Sequence, residues 1–296
     1  MKLFKNLLVD LNNLAFTTRH SIGLKPVVSV RRKEQFVREK IFKDCLSSIL
    51  FHSNKFGVNG LVVVSDSKNV WRKDIYPEYK SNKDPSEDAY FEDVIGAIDM
   101  LIEFITHYTA GYHLNVPRCE GDDLIGYWCI NSQNVENIIM SSDTDYIQLI
   151  NEQTSLYSPT QNKFRESNDP QYDLFLKCIR GDKNDAIESA FPRVRETRLI
   201  SAWNDEVEML NLLNERRPDG RTVGDVLDLN VQLIDLSEQP LLIKQKIQTQ
   251  IDNYTPAVFD EIKCMKYFND NNLKAFNEML RNAVVLKKSP VFRSYK

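Results

Sequence analysis

Ile138-Ile139-Met140-Ser141-Ser142-Asp143-Thr144-Asp145 decides how this chain is read. Three apolar residues run into two serines and then two aspartates, the form of a buried strand that ends in a polar loop. The form recurs. Leu7-Leu8-Val9 ends in Asp10, and Leu61-Val62-Val63-Val64-Ser65 ends in Asp66. Glu120-Gly121-Asp122-Asp123 opens the apolar segment Leu124–Ile130, and Gly181-Asp182-Lys183-Asn184-Asp185 completes the series. Short strand-like runs separated by helical stretches predict an α/β fold with a parallel sheet. Ligands of such sheets gather beyond the carboxyl ends of the strands. Strands laid side by side would therefore bring nine carboxylates to one pocket.

That crowding has an energetic consequence. Two carboxylates about 5 Å apart repel by roughly 3 kcal/mol at an effective dielectric near 20. Several such pairs would consume much of a domain's margin of about 5–15 kcal/mol. Protons or divalent cations must relieve the repulsion, and all-oxygen ligands suit Mg²⁺ or Mn²⁺ rather than zinc or copper. Taken singly, each aspartate is as well explained as a helix cap or turn residue. The ordered set is not.

At 296 residues the chain can form one large domain or two modest ones. An apolar content of 42% and a charged content of 27% are ordinary for a soluble globular protein. Cysteines 45, 119, 129, 178 and 264 contain no CxxC pair, and histidines 20, 52, 107 and 113 have no zinc spacing. Reduced, buried thiols in a cytoplasmic protein are expected, in the host cell if the chain is phage-encoded. No apolar run approaches the ~20 residues that span a membrane. The net charge is −4, but setting the nine clustered carboxylates aside leaves 33 acidic against 38 basic residues. A metal-filled pocket on a mildly basic body permits a nucleic-acid partner.

Between the first two strands lies a helical, basic stretch with Arg31, Arg32, Lys33, Arg38 and Lys40. Residues 67–90 are polar and broken by Pro77 and Pro85, and a helix is predicted over Ala89–Tyr108 with Ile95, Ile98, Leu101, Ile102 and Ile105 buried. A short helix follows Asp122. Beyond Asp185 the segments Leu199–Leu213, Val223–Leu236, Pro240–Tyr254 and Pro256–Leu286 read as helical, and Lys287–Lys296 as a basic tail. The division expected is an α/β catalytic domain over 1–185 and a helical region over 186–296.

With these motifs in order, the chain resembles the 5′-nuclease (flap endonuclease) superfamily, and within it the T-even phage branch. Glu120-Gly-Asp-Asp, Ser142-Asp-Thr-Asp145 and Gly181-Asp-Lys-Asn-Asp185 are similar to that family's three acidic motifs, with Asp10 and Asp66 at the matching strand ends. The resemblance implies a PIN-like catalytic sheet with a helical arch near 67–90. It implies a Mg²⁺-dependent 5′→3′ exonuclease and flap endonuclease that removes RNA primers, 5′ ends and flaps from duplex DNA during replication. Mn²⁺ would substitute. Asp10, Asp66, Glu120 and Asp122 resemble the ligands of a first metal; Asp143, Asp145, Asp182 and Asp185 those of a second, with Asp123 near both. Such sites hold ions roughly 3.5–4 Å apart and promote in-line attack by water with no covalent enzyme intermediate.

By its residues alone, Trp71–Lys83 is a solvated basic loop. The resemblance instead makes it the base of the arch, with Lys80, Lys83 and Arg72 as catalytic cations and Tyr79 stacking an unpaired base beside them. Many family members continue with a glycine-rich hairpin that holds potassium. Here Ala186–Arg198 has no glycine, so that ion is not expected, and Arg193, Arg195 and Arg198 would hold duplex DNA by charge or form an exposed basic turn. The expected partners are DNA and RNA·DNA duplexes with 5′ ends or flaps. A single-strand-binding protein or sliding clamp could meet the C-terminal region of a monomer, though simple terminal packing explains the tail equally. A PIN-type ribonuclease and a DNA-binding replication factor with a decayed site are the competing readings.

Overall fold

The computed structural model describes residues 5–21, 30–82, 90–132 and 134–293. Six strands form one sheet: β1 Lys5–Asp10, β2 Gly60–Val64, β3 Tyr112–Leu114, β4 Glu136–Met140, β5 Thr154–Ser158 and β6 Lys163–Arg165. Their order across the sheet is β3-β2-β1-β4-β5-β6. All neighbours run parallel except β5 and β6, an antiparallel hairpin at one edge. The chain leaves β1 toward β2 and β3, then crosses back to β4 on the other side. The crevice at such a reversal, beyond the carboxyl ends of the strands, is where ligands of open α/β sheets bind.

The strands are apolar at nearly every position because helices cover both faces of the sheet. Leu7, Val9, Leu61, Val63, Ile138 and Met140 face one way, and Leu8, Val62, Val64, Ile139 and Leu156 the other. The first face is packed by α1 Leu11–Ser21, α2 Val30–Phe56 and α4 Phe91–Tyr108. Between the last two lies α3, the single turn Arg72–Ile75. The second face is packed by α5 Gly121–Asn131. In α4, Val94, Ala97, Ile98, Leu101, Phe104 and Ile105 are buried at helical spacing, as an amphipathic helix requires. Ile95 and Ile102 are only partly buried.

A third apolar cluster forms from α6 Pro170–Arg180, α7 Glu196–Asn204, α8 Glu206–Leu213 and α9 Val223–Ile234. The predicted helix Leu199–Leu213 is two helices, because the Asp205 carboxylate caps α8 by accepting from the N–H groups of Val207 and Glu208. Helix α10, Leu241–Asp252, joins the second face of the sheet, whereas α11 Glu261–Asp270, α12 Asn277–Leu280 and α13 Val284–Lys287 return to the first. The core of the α/β part thus includes Tyr267, Phe268, Leu280 and Leu286, well past residue 185. In the tail, Phe292 packs edge-on to Trp128 at 5.0 Å between ring centres.

The arch segment differs from expectation. Apart from α3, its described residues form turns, since Pro77 and the tight bend through Tyr79–Asn82 interrupt any helix. Lys83, Pro85 and the predicted start of α4 at Ala89 lie outside the described residues. All five cysteines are buried and unbridged, and burial pushes the Cys129 thiol up to about 12. Among the described residues no helix is long and apolar enough to cross a membrane.

Candidate active site

Three strand ends carry the acids: β1 ends on Asp10, Asp66 follows β2, and Asp143 follows β4. Two residues in the first turn of α1 fasten these ends together. Asn12 Oδ1 accepts the Asp66 N–H at 3.1 Å, and Asn13 Oδ1 accepts the Ser142 N–H at 3.0 Å. The Asn13 N–H itself donates to Asp10 Oδ1 at 2.9 Å, while the Tyr146 hydroxyl donates to the other oxygen at 3.0 Å. Asp66 Oδ1 accepts the Gly121 N–H at 2.8 Å, which draws the start of α5 against β2. A Cβ at Gly121 would lie 3.1 Å from the Val64 side chain, so any larger residue would press on the end of β2.

Glu120, Asp122 and Asp123 surround that helix start, and one oxygen of each lies within 4.8 Å of the others. Asp10, Asp66, Glu120, Asp122, Asp143 and Lys80 line one cleft of about 750 Å³. Its opposite wall includes Phe16, His20, Phe91 and Ile95. Asp145 and Asp182 line the adjoining depression together with Lys177. Asp182 gets there through Gly181, whose φ of 68° turns the chain sharply after α6. A Cβ at Gly181 would overlap the Glu188 carbonyl.

The electrostatics match the crowding. Burial, then Asp66, pushes the Asp10 carboxyl up to about 7. Burial and Asp143 do the same to Asp145, to about 7, against the opposing pull of Lys177. Asp66 opens to solvent at the mouth of the cleft, yet lost hydration and then Glu120 also raise it. Groups that resist ionisation, with only oxygen donors, fit a hard divalent cation.

Unfolded aspartates titrate near 4, so between about pH 4 and 7 the folded state holds the extra protons. Without metal, stability should therefore fall as pH rises through that window. Scanning calorimetry in EDTA should show a melting temperature on the order of 5 °C lower at pH 8 than at pH 5. Mg²⁺ should restore the difference at pH 8 and do less at pH 5, where protons already neutralise Asp10 and Asp145. A metal-free melting temperature that climbs from pH 5 to 8 would contradict this account.

A family model described as the 5′-3′ exonuclease N-terminal resolvase-like domain matches residues 5–174. The chain belongs to the 5′-3′ exonuclease family. It is 21% identical over 227 residues to the 5′-3′ exonuclease of Buchnera aphidicola, covering 73% of this chain and 77% of that protein. It is 22% identical over 258 residues to the thermostable DNA polymerase I of Thermus filiformis, covering 83% of this chain but 29% of the polymerase. The chain thus spans less than a third of that relative. The D15 protein of bacteriophage T5, co-crystallized with metal ions, has the same fold: TM-score 0.61, 18% identity, 94% of this chain and 99% of that one. A variant of the D15 flap endonuclease in a complex with DNA and metal ions gives 0.59 and 17%, with the same coverage.

In this member of the family, Lys80 sits where its charge meets the acids. Its Nζ bonds Glu120 Oε1 and lies 3.8 Å from Asp185 Oδ2. Burial opposes the charge, but Glu120, Asp122 and Asp185 outweigh it and raise the ammonium pKa. The Lys80 ammonium thus lies between Glu120 and Asp185, while Lys177 lies between Asp145 and Asp182.

Three of the expected site residues lie inside the protein. Arg72 was expected to meet the substrate, but it is 1% exposed. Its guanidinium is engaged by the Leu233 carbonyl at 2.8 Å, Glu120 Oε2 at 3.0 Å and Asp123 Oδ1 at 2.9 Å. Tyr79, expected to stack a base, is 2% exposed and packed in the third apolar cluster, with its hydroxyl donating to Glu120 Oε2 at 2.9 Å. Asp123, placed among the metal ligands, is fully buried. Besides Arg72 it accepts from the Trp71 indole at 3.0 Å and the Glu120 N–H at 2.9 Å. Its carboxylate caps the start of α5, and one of its oxygens still lies within 4.8 Å of those of Glu120 and Asp122.

Arg193 and Arg195 are exposed in the turn before α7, while Arg198 pairs with Glu215. The sequence reading overlooked Asn12, Asn13 and Lys177. An Asn pair two residues after a strand-end aspartate was the available signal for the first two, since such side chains bond nearby backbone. Lys177 carries no such signal, because its partners are set by tertiary structure.

Proposed function

We propose that this chain is a Mg²⁺-dependent 5′→3′ exonuclease and flap endonuclease that removes RNA primers, 5′ ends and flaps from duplex DNA during replication. The observation that carries the reading is the convergence of Asp10, Asp66, Glu120, Asp122 and Asp143 with Lys80 in one cleft. Asp10, Asp66, Glu120 and Asp122 would hold a first cation, and Asp143, Asp145 and Asp182 with the nearby Asp185 a second. When bound, two such cations supply Lewis-acid stabilisation of the charge that builds on a phosphodiester. The protein's own part is to fix the acids through Asn12 and Asn13 and to add the Lys80 ammonium. The wall of Phe16 and Phe91, whose ring centres lie 5.9 Å apart, offers apolar surface beside the acids.

Arg193, Arg195 and Arg198, on the helical region, would screen duplex phosphates, as Lys83 would on the 5′ strand. The D15 complex with DNA and metal ions supports this substrate class. A single-strand-binding protein or sliding clamp would approach the same region of a cytoplasmic monomer.

The test is cleavage of 5′-labelled and 3′-labelled flap, nicked and RNA-primed duplexes. Products should shorten from the 5′ end or release the flap in Mg²⁺ or Mn²⁺, and excess EDTA should abolish them. Full activity in EDTA, or shortening from the 3′ end, would reject the reading.

A further inference from the structure

We propose that Lys177 is a tethered cation that occupies the second carboxylate set until a divalent ion displaces it, so that the two metal positions bind with unequal affinity. The proposal rests on the metal-dependent reading above. Lys177 lies in the last turn of α6, and its Nζ bonds Asp145 Oδ1 and stands 3.3 Å from Asp182 Oδ2. The three side chains are each about one-fifth exposed, at 22%, 20% and 20%. The two acids reach this point from different elements: Asp145 from the loop after β4, Asp182 from the turn after α6. The ammonium is what bridges them.

The first set is organised differently. Asp10 and Asp66 form no ion pair within 4 Å among the described residues, and Lys80 reaches only Glu120 and Asp185. A dication entering between Asp10 and Asp66 meets uncompensated negative charge. One entering between Asp145 and Asp182 must first break two contacts to an ammonium and expel it to solvent. The four-carbon stem of lysine allows that swing without moving α6. Two charges competing for the same oxygens cannot both be bound at full strength, so the second position should fill late.

The experiment is calorimetric titration of the metal-free full chain with MnCl₂. Wild type should show a tight and a weak class. Lys177→Met should tighten the weak class by about tenfold or more, the loss expected when one ion pair no longer competes, while the tight class moves by less than about twofold. Lys177→Arg should keep the wild-type pattern. The melting temperature supplies a second readout. Lys177→Met should melt below wild type in EDTA, where two acids lose their counter-charge, and at or above it in saturating Mn²⁺. Lys177→Gln should behave as the Met variant does, which separates lost charge from altered packing. A weak class that is unchanged or weaker in both neutral variants would overturn the tether while leaving the metal reading intact. No Mn²⁺ binding to any variant would overturn both.

Discussion

Lys80→Ala should lower the single-turnover cleavage rate by about 10²–10³-fold, the usual cost of removing one preorganised charge donor from a reacting centre. The side chain is poised for this. Its backbone sits in the left-handed region at φ 55°, an uncommon conformation for lysine, held there by its N–H donating to the Asp185 carbonyl at 2.9 Å. Its Nζ rests on Glu120 within the acidic cleft and lies 5.1 Å from the Tyr79 ring centre. A phosphodiester entering the cleft offers that ammonium a better partner than a carboxylate already shared with Arg72 and Tyr79. The contact strengthens as negative charge builds, which raises turnover rather than affinity alone. Duplex affinity should change little, because one phosphate contact among many shifts the salt slope by only about one unit. Weaker binding with an unaltered single-turnover rate would make Lys80 an ordinary backbone contact.

Arg72→Ala should destabilise the fold by about 3–5 kcal/mol, the cost of leaving buried charges unpaired. One guanidinium satisfies the α9 carbonyl of Leu233, Glu120 and Asp123, and Asp122 lies 3.7 Å away. Without it, Asp123 would stay buried beside two other acids with nothing to balance it. Lysine should rescue only part of the loss, since a single ammonium cannot reproduce the planar fork that serves three acceptors at once. Urea denaturation monitored by circular dichroism would measure the shift in midpoint. A midpoint within error of wild type would mean that the acidic cluster is held by something other than this arginine.

These two residues show where reading the sequence succeeds and where it stops. The strand ends were legible because burial on both faces writes an uninterrupted apolar run, and Asp10, Asp66 and Asp143 mark where each run gives way to the acidic cleft. Helix α4 was legible from its period. The β5–β6 hairpin was not: Thr154–Ser158 and Lys163–Arg165 are short and partly polar, and an edge pair needs little apolar patterning. Arg72 and Tyr79 were placed outward because polar neighbours surround them in sequence. What buries them is Leu233, 161 residues away, and the α6–α9 cluster. Local pattern reports which side chains tolerate water, whereas pairing among buried charges depends on contacts the pattern does not contain.

The return of α11–α13 to the first layer also bears on how the protein is made. Asn6, in the central strand, exchanges two hydrogen bonds with the backbone of Val291, at 2.8 and 3.1 Å, across 285 positions of chain. Domains generally fold from the amino end as they emerge from the ribosome, but here β1 waits for a segment that lies 285 positions further along the chain. A nascent chain that still lacks α11–α13 leaves the apolar sides of α2 and α4 uncovered and the sheet beneath the acids incompletely packed. Truncation before α11 should therefore yield an aggregation-prone fragment rather than a smaller folded domain.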